Sequence, residues 1–135
     1  MVKGYIAVVL DEEFKAILVA NNPFFYEREF CHHVTLSFGD GSLEELSRQM
    51  DFFAMTSKEV SVVVEDNYND GEGVECFTIN INGHTLRADG RRLHLTHSLA
   101  SGRKPVESNA VVMNAAYRRS NVAMVVKGTI VAIEH

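Results

Sequence analysis

Two stretches of the chain repeat one phrase. His33-Val34-Thr35-Leu36-Ser37-Phe38 and His94-Leu95-Thr96-His97-Ser98-Leu99 both read His, apolar, Thr, any residue, Ser, apolar, 61 positions apart. A His-x-Thr triplet is expected only about 0.3 times by chance at this length and composition, so two copies that also agree at the Ser and apolar positions ask for a physical reason. On an extended strand successive side chains alternate between faces. His, Thr and Ser then share one face in each copy, while Val34, Leu36 and Phe38, or Leu95 and Leu99, take the other. Two such strands side by side would oppose two imidazoles across a ring of hydroxyls. That arrangement suits a phosphate held between a general base and a general acid. It points towards phosphodiester chemistry without a metal or other cofactor. The plainer alternative is a pair of half-buried strands whose histidines are surface residues or satisfied core residues.

The elements that must position these strands can be read from the pattern around them. Gly4 to Leu10 reads as an apolar strand, and Asp11 as the N-cap of a helix over Glu12 to Ala20 with Phe14, Ile17 and Leu18 on one face. Asn21-Asn22-Pro23 ends that helix. An aromatic connection from Phe24 to Phe30 leads into the first motif strand, which stops at Gly39-Asp40-Gly41. Ser42 with Glu45 forms a capping box for a helix through Phe53, with Leu43, Leu46, Met50 and Phe53 inward. Val60 to Glu65 is a strand, Asp66 to Gly73 a polar loop, and Val74 to Ile81 a strand returned by the hairpin signal Asn82-Gly83. Asp89-Gly90 turns into the second motif strand, after which Ser101 to Pro105 forms a small basic loop. Ser108 to Arg118 reads as a helix and Val122 to Ile133 as a long closing strand. Hairpins join most strands, so the expected fold is α+β with a mainly antiparallel sheet. The motifs lie in different halves of the chain, which suggests two lobes related by a pseudo-two-fold, each giving one strand to a central cleft.

Length and composition bound the partners. A chain of 135 residues, 46% hydrophobic, is one domain with enough mass for a core. No apolar run approaches the about 20 residues of a membrane span, and the start lacks a signal-peptide pattern, so the expectation is a cytoplasmic protein without membrane contact. Cys31 and Cys76 are too few for a disulfide framework and are not spaced as a zinc motif. A formal net charge of −5, with no basic stripe, argues against a grip on long nucleic acid and for a compact nucleotide ligand.

The motif residues His33-Val34-Thr35-Leu36 and His94-Leu95-Thr96-His97 resemble the paired His-x-Thr-x motifs of the two-histidine (2H) phosphoesterase superfamily. That superfamily includes LigT-like RNA phosphodiesterases, the cyclic phosphodiesterase domain of fungal tRNA ligase, and phage enzymes that destroy cyclic-oligonucleotide immune signals. The resemblance covers most of the chain in element order. It implies a bilobal α+β protein whose motif strands line a cleft, metal-free chemistry, and His33, Thr35, His94 and Thr96 as the catalytic set. Lys104-Pro105-Val106-Glu107-Ser108-Asn109 is similar to a loop in small RNA-repair-like members. His97 departs from the apolar residue usual at its position; lying opposite His94, it is expected to pack at the sheet or bond a neighbouring carbonyl.

The expected mechanism follows. One histidine takes a proton from the water attacking phosphorus, the other protonates the departing ribose oxygen, and Thr35 and Thr96 hold the non-bridging oxygens; either histidine can take either role. Substrate binding is assigned to Lys104 as a cation, Tyr5 as a stacking ring and Ser98 as a further hydroxyl, with Phe24, Phe25 and Tyr26 as other candidate rings. Cys31-His32-His33 invites a metal or a thiol nucleophile, but neighbours on a strand point apart, and His32 is expected to point away from His33. His84 lacks the motif spacing, and His135 is terminal. The favoured substrates are cyclic nucleotides or cyclic oligonucleotides, including immune signals. The alternatives are RNA termini bearing a 2′,3′-cyclic phosphate, a nucleotide-binding module without turnover, and a purely structural domain.

Overall fold

The computed structural model describes residues 3–134; His135 lies outside them. The fold is α+β. Its strands are β1 (Gly4–Leu10), β2 (Arg28–Glu29), β3 (His33–Gly39), β4 (Glu59–Asn69), β5 (Val74–Asn80), β6 (His94–Leu99) and β7 (Arg118–Glu134); its helices are α1 (Glu12–Asn21), α2 (Leu43–Phe52) and the single turn α3 (Ser108–Val111). Every strand pairing is antiparallel. The order β6-β3-β1-β7-β4-β5, with β5 pairing back onto β6, closes a six-stranded barrel, and β2 adds to β6 beside β3. The motif strands are thus direct neighbours in one closed sheet, where the chain's two halves had suggested one strand from each of two lobes.

Alternation fills the barrel. Ile6, Val8, Val34, Leu36, Val62, Val64, Phe77, Ile79, Leu95 and Val126 form one interior cluster, joined by Leu18 of α1 and by Leu46 and Phe53 from the α2 segment. Ser42 caps α2 by accepting from the Glu45 amide at 3.1 Å, but the Glu45 carboxylate turns to Arg48 and Gln49 instead of completing the reciprocal box. Ile17 and Leu43, expected inward, are exposed. Asn82 and Gly83, at φ 51° and 87°, make the tight turn expected of that pair, linked by the Ile81↔His84 bridge.

Two elements differ in extent from the sequence expectation. The expected loop at Asp66 is strand as far as Asn69, and the expected helix from Ser108 to Arg118 stops at Val111. The loop is claimed by pairing between β4 and β7, where Asp66↔Asn121, Asn67↔Ser120 and Tyr68↔Arg118 align and Arg118 pairs with Asp66 at 3.1 Å. Ladder hydrogen bonds supplied by a distant strand outweigh a local loop pattern. The helix gives way to a 3-10 turn at Ala115–Tyr117, where Asn114 accepts from the Ala116 amide, before β7 begins at Arg118. What remains of α3 covers the outer face of β5 and β6, packing Val111 and Val112 on Val74, Cys76 and Leu99.

Candidate functional site

The two motif strands meet at the antiparallel pair Val34↔Leu95. That register sets His33 across from Thr96 and Thr35 across from His94, a local two-fold about the pair. Val34 and Leu95 point into the barrel, so the two histidines and two threonines point out of it. All four line one cavity of about 290 Å³.

The serines do not join them. In β3 the pairing with β1 passes from Ala7↔Thr35 to Ile6↔Ser37, leaving Leu36 as an extra residue. In β6 the pairing with β5 passes from Cys76↔Thr96 to Glu75↔Ser98, leaving His97 extra. Each motif therefore carries a β-bulge at its fourth position, and a bulge inverts the alternation beyond it. Ser98, expected among the substrate ligands, is fully buried; it donates to Glu75 Oε1 at 2.6 Å and accepts from the Tyr26 amide at 3.0 Å. Ser37 pairs with core Ile6 instead. The same inversion brings Phe38, expected in the core, out to line the cavity, 54% exposed, and turns Leu99 onto the outer face beneath α3.

The histidines are held differently. His94 Nδ1 lies 3.1 Å from the Arg92 carbonyl; a carbonyl only accepts, so Nδ1 carries the proton and Nε2 is left as the acceptor. His33 Nδ1 lies 2.9 Å from His32 Nδ1. His32 thus turns towards His33, not away from it, because Cys31 adopts φ 62° and breaks the extended geometry just before β3. Burial pushes the His33 pKa down to about 4, with the charges of His32 and His94 adding to the effect. His94 is also lowered, chiefly by burial and further by the Arg87 charge, while its bond to the Arg92 carbonyl opposes the shift. Both rings are neutral at neutral pH, and the negative charge of a bound phosphate would favour protonating one of them.

Tyr5 stands in the cavity wall with its ring 5.5 Å from that of His33 and 6.1 Å from that of Phe38. Lys104, assigned as the phosphate cation, is exposed and does not line the cavity, and its amide is engaged by Glu107 at 2.6 Å. Its neighbour Arg103 is spent on Asp70 and Glu107. The cation in the wall is Arg87, which sequence reasoning missed. It sits 5.3 Å over the Phe38 ring and pairs with Asp89. Only the Asp89-Gly90 turn signal hinted that this hairpin folds back beside β6, and nothing local marked Arg87 itself. Pro105, Val106 and Asn109 form the remaining wall, and Ser108 Oγ lies 3.0 Å from Thr96 Oγ1. Among the described residues no carboxylate lines the cavity, and Asp89 pairs with Arg87 from outside its wall.

The other candidates fall elsewhere. His97 is buried between Phe24 and Phe77, with Nε2 2.6 Å from the Asn22 carbonyl. Phe25 and Tyr26 lie outside the cavity, the latter donating to Asn69 at 2.6 Å. Burial raises the Cys31 thiol to about 12, which removes it as a nucleophile. Among the described residues no three His, Cys, Asp or Glu side chains converge as metal ligands, and no helix is long and apolar enough to cross a membrane. No protein-family model, curated protein or solved structure matches this chain.

Proposed function

We propose that this cavity is the active site of a two-histidine, metal-independent phosphodiesterase that hydrolyses cyclic nucleotides or cyclic oligonucleotides, with the disarming of nucleotide immune signals as its use. The observation that carries the reading is the convergence of His33, Thr35, His94 and Thr96 on one cavity under a local two-fold. The bulge at the fourth position of each motif also supports the reading.

His94 is the better general base, since its protonated Nδ1 is fixed on a carbonyl and Nε2 keeps its lone pair. His33, linked through Nδ1 to His32, is the acid: once protonated it can share that proton along the pair. Water attacks phosphorus and loses its proton to His94. The bond from phosphorus to the ribose oxygen breaks, and His33 protonates that oxygen. Thr35, Thr96 and Arg87 hold the non-bridging oxygens.

The test is to incubate the protein in chelator with a 3′,5′-cyclic mononucleotide, a cyclic dinucleotide and a short RNA ending in a 2′,3′-cyclic phosphate. Linear products from the first two are expected. Faster turnover of the RNA, rising with its length, would reassign the protein to RNA ends, and binding without turnover would make it a nucleotide-binding module.

A further inference from the structure

Beside the histidine cavity lies a second of about 330 Å³, between the turn at Gly90–Arg92 and the α3 segment. The two share one wall residue, Asn109. Its Nδ2 donates to the Val106 carbonyl at 3.1 Å, and its Oδ1 has no hydrogen-bond partner among the described residues. A buried acceptor without a partner is unfavourable unless something donates to it. It therefore marks the junction as a place where a ligand donor belongs.

The second cavity pairs a cation with an apolar floor. Arg92 is committed to the Ile79 and Thr85 carbonyls and to Glu65. Arg91 is exposed and makes no side-chain hydrogen bond or ion pair among the described residues. Opposite it stand Ala110 and Met113, the latter 73% exposed. Asp89 accepts from the Arg91 amide at 3.1 Å but makes its ion pair with Arg87, and Glu65 makes its own with Arg92, so the Arg91 guanidinium has no ion-pair partner among the described residues. A free guanidinium facing an exposed thioether is the chemistry of a phosphate next to a flat ring.

We infer that the second cavity is a subsite for an adjoining nucleotide unit, its phosphate on Arg91 and its base on Met113, with Asn109 accepting a hydrogen bond from the ligand between the two units. This rests on the proposed phosphodiesterase reading and narrows it: the ligand spans at least two nucleotides, one in each cavity.

The test is equilibrium binding to the full chain of two phosphorothioate probes that resist hydrolysis, a 3′,5′-cyclic mononucleotide and a cyclic dinucleotide. The dinucleotide should bind at least about tenfold more tightly, and Arg91→Ala should erase most of that preference, with Met113→Ser removing a smaller part. Both side chains are exposed, so circular dichroism should show unchanged folds. Equal affinities, failure of both probes to bind, or a preference that survives both substitutions would overturn the subsite. Turnover of the matching oxygen diesters, followed in parallel, reports on the phosphodiesterase reading alone. A dinucleotide preference without turnover would sink that reading and leave the subsite standing.

Discussion

Both motif strands are flanked on both edges, but the one carrying His94 and Thr96 is roofed by α3, whereas His33 and Thr35 follow directly on the distorted Cys31 turn. Thr96 is 9% exposed and its hydroxyl meets that of Ser108, itself fully buried. Thr35 is half-buried and makes no side-chain hydrogen bond among the described residues. His94 is oriented by a main-chain carbonyl; His33 is oriented by another side chain, which is exposed and able to move. Two sequences that share His, Thr and Ser at the same spacing thus become one preorganised half-site and one adaptable half-site. The rigid half suits a base that must aim a lone pair at a water. The adaptable half suits an acid that must follow a departing oxygen.

The strongest way to break this comparison is to remove each imidazole. His94→Ala and His33→Ala should each lower kcat on a cyclic dinucleotide by about 10²–10⁴. They should differ in pH profile: losing the base removes the acidic limb of the bell, and losing the acid removes the alkaline limb. Identical profiles in the two variants would contradict the unequal roles.

The threonines should separate on stability. Thr96→Val leaves the buried Ser108 hydroxyl without this partner and should cost about 1–3 kcal/mol in urea unfolding, whereas Thr35→Val should leave the midpoint nearly unchanged. Equal losses would mean that the two halves are equally embedded.

Arg87 sharpens the same contrast through binding. Arg87→Gln should weaken affinity for a non-hydrolysable cyclic nucleotide by about tenfold, as expected for one lost contact to a charged group. The partner Asp89, about half exposed, stays solvated in this variant. An unchanged dissociation constant would remove Arg87 from the site.

The smallest expected effect is on acid stability. The His33 pKa is about 4 in the fold against 6.5 for a free imidazole. Between those values the unfolded chain binds the proton and the folded chain does not, so this histidine makes stability fall as pH drops from about 6.5 towards 4. His33→Asn should flatten that part of the stability curve, and ligand phosphate should bind more tightly as the pH falls through the same range. A slope unchanged in the variant would place the acid sensitivity elsewhere, with His94 and His97 as the other lowered groups.

Much of the architecture was legible because its causes are local. The apolar strand from Gly4 to Leu10, the helix stop at Asn21-Asn22-Pro23, the Ser42 cap and the Asn82-Gly83 turn are all decided within a few residues by propensity, capping and permitted φ. The pairing of His33 and Thr35 with His94 and Thr96 was legible too, since each triplet spans a stretch of strand in which alternation holds.

What tertiary structure alone decided begins one residue later. A bulge arises where a strand must bend to follow its partner around a closing barrel, and that demand comes from β1 on one side and β5 on the other, not from Leu36 or His97. Each bulge removed a serine from the site, and the first delivered Phe38 to it in exchange. The left-handed turn at Cys31 brought His32 onto His33 where alternation would have parted them. The folding of the Asp89-Gly90 hairpin beside β6 replaced the expected Lys104 with Arg87 as the cation in the wall. Periodicity and spacing, read along one chain, carry no information about which distant strand will set the curvature. The four residues before the bulges were therefore fixed by sequence, and their surroundings by closure of the barrel.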